Sequence, residues 1–265
     1  MKKYFKKLNI FILIVLFLLG FSLLYFLYSR ARSQADVYVK VALYRGQSNS
    51  IPYWLNQAIN VGDKELSPLG GLNVEVYDKF SFAWGGQNEM AFLLLKVNTI
   101  KDRTGIYLYK NKPLLVGGSI DLKLPKAQVS GNVIQIEDHQ ITDEYNKVTI
   151  TVLGKGTDVW ISNNLKNGSS IVDNKGRILA KVTEVKSTQL TSIGTLVRDE
   201  NTNKAIMIFD NNERDIEANV DLLVRKTENY YFFGETQKVK VGEQISLPFK
   251  EVTLNAPITS IKEIK

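Results

Sequence analysis

The chain has 265 residues, 44% of them hydrophobic, with 34 basic and 27 acidic side chains, one histidine and no cysteine. The missing cysteine excludes disulfides, thiolate metal sites and cysteine nucleophiles, and a histidine metal site or a Ser-His-Asp triad would rest on His139 alone, in the polar run Glu137-Asp138-His139-Gln140. Six basic residues and no acidic one fall in residues 1–35, which leaves 28 basic against 27 acidic beyond them, so the charge is N-terminal and nucleic acid is not an expected partner.

Leu8 to Tyr28 carries no charge and is strongly polar only at Asn9 and Ser22. At about 1.5 Å per residue such a helix spans the ~30 Å hydrocarbon core of a bilayer, so a transmembrane signal anchor is expected, with Tyr25 and Tyr28 at an interface. Lys2, Lys3, Lys6 and Lys7 precede the run and only Arg30 and Arg32 follow it, which puts the N-terminus in the cytoplasm and the bulk of the chain outside. A cleaved signal peptide is the alternative, because Ser33-Gln34-Ala35 has the small-x-small form of a cleavage site. The apolar run is longer than the usual signal core, and two arginines intervene.

From Val37 the chain alternates, with Val37, Val39, Val41 and Leu43 on one strand face. A helix-like run Tyr53 to Gly62 follows, with Ser50 as a candidate cap, Pro52 suited to the first turn, Gly62 as the stop and Trp54, like Trp160 below, expected in the core, an exposed tryptophan pair that binds sugar rings being the alternative. Next come a turn, Ser67 to Gly71, and strands at Leu72 to Tyr77, Glu89 to Val97 and Gly105 to Tyr109. Phe80, Phe82 and Trp84 alternate, giving one aromatic strand face that either fills the interior or meets a ligand or partner.

Val148 to Leu153 reopens the pattern, and Val159 to Gly168 repeats the tryptophan run at the same spacing, with Trp160 eight residues before Gly168 and Thr157 as its candidate cap. Val116-Gly117-x-x-Ile120-x-Leu122 returns as Val241-Gly242-x-x-Ile245-x-Leu247. The blocks keep their order, which indicates a duplication. The second copy is about nineteen residues longer between Trp and Val-Gly, and the polar stretches Arg198 to Lys204 and Asp210 to Asp215 are expected to hold the excess. Short strands with Gly, Asn and Asp turns indicate a mainly β protein: an N-terminal transmembrane helix, then two tandem barrel- or sandwich-like repeats, each with one short helix. The expected division is 1–35 tail and anchor, 36–137 first repeat, 138–146 linker and 147–265 second repeat.

Ala58 to Asp63, Leu114 to Ile120 and Val129 to Ile136, with their counterparts Leu165 to Gly168, Gly176 to Val182 and Val239 to Ile245, resemble the bacterial DUF4330 family of uncharacterised, membrane-anchored proteins, as two tandem copies. Shorter strand-turn-strand pieces are similar to the lipid-transport MCE domain and to the barrel of periplasmic membrane-fusion adaptors. The resemblance implies an envelope protein but no activity. The copies depart from one another at Asp63/Ser169 and Gly131/Ala256, so roles tied to those side chains are not expected to be shared.

Gly62, Gly117, Gly168 and Gly242 read as turn glycines, since none stands in a phosphate-binding context. The acidic loops around Asp199 and Asp210 lack calcium-loop spacing. No catalytic, cofactor or metal residues are assigned. Two functions follow: a non-catalytic structural or adaptor protein of the cell envelope, binding another envelope protein or itself, or a module for an envelope glycan or lipid that uses Phe80, Phe82 and Trp84.

Overall fold

In a computed structural model, the structure describes residues 10–32, 34–46, 48–68, 70–189, 195–198, 205–208, 213–227 and 229–264. Helix α1 (Ile10–Arg32) opens the chain. Its described side chains, Ile12 and Ile14 to Tyr25, are exposed. Among the described residues no helix is long and apolar enough to cross a membrane. The lysines at 2, 3, 6 and 7, Leu8, Asn9 and Ser33, on which the direction of insertion and the cleavage alternative rest, lie outside the described residues.

The rest is two curled antiparallel sheets, each with a short helix. The first contains β1 (Gln34–Tyr44), β2 (Ile51–Pro52), α2 (Tyr53–Gln57), β3 (Lys64–Leu66), β4 (Leu72–Ala83), β5 (Asn88–Lys101), β6 (Tyr107–Tyr109), β7 (Lys112–Pro113), β8 (Ser119–Lys123) and β9 (Gln128–Glu137). The second contains β10 (Tyr145–Asp158), α3 (Val159–Asn164), β11 (Ser170–Val172), β12 (Ile178–Gln189), then the separate ribbon β13 (Thr195–Arg198) and β14 (Ala205–Ile208), followed by β15 (Glu213–Lys226), β16 (Tyr231–Phe233), β17 (Gln237–Val239), β18 (Gln244–Pro248) and β19 (Thr253–Glu263). The strand orders β3-β4-β5-β1-β9-β8 and β11-β12-β15-β10-β19-β18 correspond element for element. The excess length of the second copy falls in one connection: residues 84–87 join β4 to β5, whereas 190–212 join β12 to β15.

One turn recurs four times. Gly62, Gly117, Gly168 and Gly242 have φ of +91°, +84°, +88° and +89°, a region in which L side chains are strained. Each glycine N–H donates across to a strand carbonyl, of Val76, Val133, Val182 or Ile258, at 2.7 to 2.8 Å. The residue after each acceptor, Tyr77, Ile134, Thr183 or Thr259, is then bulged out of its ladder. Asp63 and Ser169 do share a task, contrary to expectation: Asp63 Oδ2 accepts from Asn60 N–H at 2.8 Å and Ser169 Oγ from Lys166 N–H at 3.2 Å.

The helices are shorter than their sequence patterns imply. Ser50 is buried against Ser48 instead of capping, Pro52 stands at the cap of α2 without a side-chain bond, and α3 is capped by Asp158, whose Oδ1 accepts from Trp160 N–H at 2.6 Å. Each run turns a following apolar residue inward, Ile59 in one case and Leu165 in the other.

Two cores result. One fills the first sheet's concave side with Val37, Val39, Val41, Leu93, Leu95 and their neighbours. The other joins the interior of the second sheet to Phe80, Phe82, Met90, Phe92 and Leu94 on the outward face of the first. Strand β5 is therefore buried on both faces.

Candidate functional site

Phe80 and Phe82 are 5% and 1% exposed, and Trp84 is half-buried beside them. In the described structure the aromatic strand face meets the second copy. Phe80 stacks on Phe92 at 4.8 Å, and Phe82 lies 6.0 Å from the Phe233 ring. Gly234 backs onto Phe82, whose Cζ would be only 2.6 Å from a Cβ built there. The backbone joins in: Asn174 N–H donates to Ser81 O at 2.9 Å, and Ser81 N–H donates to Asn174 Oδ1 at 3.0 Å. At about 1.5–3 kcal/mol per buried side chain, this aromatic cluster holds the copies together strongly.

Beside it runs an ionic seam. Lys40, wholly buried on β1, pairs with Asp143 of the linker and with Glu235 Oε2 of the β16–β17 hairpin at 3.1 Å. Glu235 also accepts from Arg225 Nε at 2.5 Å and from the Tyr145 hydroxyl at 2.8 Å. Its φ of +66° is unusual for a non-glycine residue, and three donors hold it there. Two cations face two carboxylates, so the seam is balanced, and removing one member would strand a buried charge. Burial pushes the Tyr145 phenol well above its ordinary value, with Glu235 and Asp143 adding to the effect, and pushes Tyr77 up to about 12. Sequence reasoning missed this cluster: Lys40 sits at an outward position of an alternating strand, where solvent is the default reading.

The tryptophans depart from the expectation of core packing. Trp54 is 60% and Trp160 56% exposed, because the inward positions of α2 go to Leu55 and the buried Asn56 and that of α3 to the half-buried Ile161. Both stand at one end of the molecule, beside the β4–β5 hairpin tip. Tyr53 N–H donates to Gln87 O at 2.8 Å, and Asn56 Nδ2 to Ser81 Oγ at 2.9 Å, which pins α2 to that hairpin. Tyr53 and Trp54 border a cleft of about 440 Å³ with Ala83, Gly86 and Asn88. Trp160 borders a second, of about 510 Å³, between Gly85 and Gly86 of the first copy and Asp158, Lys250 and Glu251 of the second. The Arg45 guanidinium lies 5.4 Å over Trp54.

His139 is exposed, and its Nδ1 lies 2.7 Å from Asp138 Oδ1, a bond that raises the imidazole pKa. Among the described residues no group of three His, Cys, Asp or Glu side chains is placed to hold a metal ion. Where a Cβ is built at Gly62, Gly117, Gly168 or Gly242, it meets no atom of the described residues within 4 Å, so these glycines answer to φ and not to close approach. No protein-family profile matches the chain, and neither a curated protein nor a solved structure does.

Proposed function

We propose that the protein is a non-catalytic adaptor of the bacterial cell envelope. It is anchored through the apolar run Leu8 to Tyr28 with its N-terminus inside, and it carries the two β copies on the outer side as one body. The observation that carries this reading is the division of aromatic surface. Phe80 and Phe82 are consumed in joining the copies, while Tyr53, Trp54 and Trp160 stay exposed at one end. One residue separates α1 from strand β1, which runs eleven residues to Tyr44, so at about 3.3 Å per residue the tryptophan end stands well away from the anchor. The buried carboxylates Glu65, Asp173 and Glu235 are each engaged by a cation, which fits binding better than acid-base chemistry. Membership of both copies in the DUF4330 family is part of the same proposal.

The cysteine-free chain makes the test simple. Single Lys2→Cys and Lys250→Cys variants are exposed in intact cells to a membrane-impermeant maleimide; the Lys250 side chain is 91% exposed. Labelling at 250 alone, with labelling at 2 only after permeabilisation, is the expected outcome. The opposite pattern, or release of the chain by alkaline carbonate, overturns the anchored, exported reading.

A further inference from the structure

The two clefts share Gly86, and that shared residue suggests what they hold. Gly85 and Gly86 have φ of +86° and +57°, and no atom of the described residues lies within 4 Å of a Cβ built on either. The hairpin tip between Trp54 and Trp160 is therefore bare backbone facing open space. Indole and phenol faces at 54% to 60% exposure on a folded surface are costly unless something covers them. The groups around them are mixed: the amides of Gln87 and Asn88 on one side, and the Asp158 carboxylate and the Lys250 and Glu251 pair on the other.

The geometry points to a binding site for an uncharged pyranose chain, laid from the Tyr53 and Trp54 cleft across the Gly85-Gly86 tip to the Trp160 cleft. A pyranose ring offers an apolar C–H face, which stacks on an aromatic ring, and a rim of hydroxyls that both donate and accept. The exposed rings supply the first contact, and the amides and carboxylates supply the second. Asp158, Glu89 and Glu251 against Lys250 and the Arg45 guanidinium over one face of Trp54 leave the surroundings of the clefts acidic by one charge, which disfavours phosphate-rich or uronic polymers. An acyl chain fits less well, because polar side chains border both clefts. The inference rests on the adaptor reading and gives its exposed end a ligand class.

The full chain in lipid nanodiscs, free of sugar-based detergent, is titrated with cellohexaose and with chitohexaose while tryptophan emission is followed. Saturable change with at least one hexaose is expected. Trp54→Ala and Trp160→Ala should each weaken binding by roughly tenfold, Trp160→Phe by less, and unchanged circular dichroism and Tm would show that the fold is intact. Gly86→Asn, which adds a side chain at a φ that asparagine tolerates, should also weaken it. No response to either hexaose, or binding that both alanine variants leave unchanged, overturns the inference. So does emission change only on varying nanodisc lipid composition, which would make the rings a lipid contact. Each of these outcomes leaves the maleimide topology result untouched, so the two readings fail separately.

Discussion

Phe80, Phe82, Phe92 and Leu94 on the first sheet occupy the positions that Lys186, Thr188, Glu217 and Asn219 hold on the second, as the matching registers Val76↔Leu95 and Val182↔Val220 require. The backbone is the same in both places. The first set is buried under the other copy; of the second set Lys186, Thr188 and Glu217 are exposed, and Asn219 bonds to Thr151 and Glu184. The complementary edge differs in the same sense. Gly234 and Glu235 of the second copy, whose counterparts in the first are Lys110 and Asn111, are shaped to receive Phe82 and Lys40. A duplicated fold has thus been made directional by changing outward side chains while the inward ones stay apolar.

The strongest way to break that comparison is Phe82→Ala against Thr188→Ala. The first should cost about 3–5 kcal/mol as a buried aromatic truncation, the second no more than about 0.5 kcal/mol as a surface change, both read by urea unfolding. Equal costs would show that the copies do not depend on this face.

A smaller effect sharpens the fit. Gly234→Ala adds a methyl 2.6 Å from Phe82 Cζ at a φ of +51°, and overpacking of this kind costs about 1–3 kcal/mol. Part of that cost should vanish in a Phe82→Leu background, a coupling that a double-mutant cycle measures. At the matching first-copy position, the cost of Lys110→Ala should come from the lost pairing with buried Glu65 and should not change in the Phe82→Leu background.

The smallest effect is alkaline. Tyr77, Tyr109 and Tyr145 have phenol pKa values raised chiefly by burial, and the second-copy counterparts of the first two are Thr183 and Phe233. Folded-state pKa values above the unfolded value of 10.0 mean that this stability is complete below pH 10. It is lost as the pH rises from 10 through about 12 for Tyr77, because the unfolded chain releases protons that the fold retains. Tm should fall by a few degrees over that window, and Tyr109→Phe should flatten the decline.

Strand alternation and the spaced glycines made the doubled mainly β plan legible, since both report local requirements: inward apolar residues at period two and positive φ at turns. The extra length of the second copy was legible as a quantity, and the structure assigns it to one connection. What sequence could not show was which outward residues find cover. Lys40 meets partners 103 and 195 positions away, and nothing in its neighbourhood distinguishes it from a solvated lysine. The tryptophans misled because burial is the default for a large apolar ring, while a helix of five or six residues has too few inward positions to bury both tryptophan and aliphatic residues. The departure at Gly131 and Ala256 proves to be a size exchange. Gly131 makes room for Val41 and Leu43, and Ala256 lies opposite Gly154, the counterpart of Leu43.

The polar outer face of the second sheet also limits growth. A contact between unlike surfaces of identical units does not close on itself, and repeated along a chain or between molecules it propagates as a fibre. Here the apolar face is filled from within the same polypeptide, and the next face along offers lysine, threonine and glutamate in its place. The molecule is a polymer stopped at two, and at both ends: the outer face of the second sheet is polar, and the first copy has Lys110 and Asn111 where Gly234 and Glu235 receive the aromatic face.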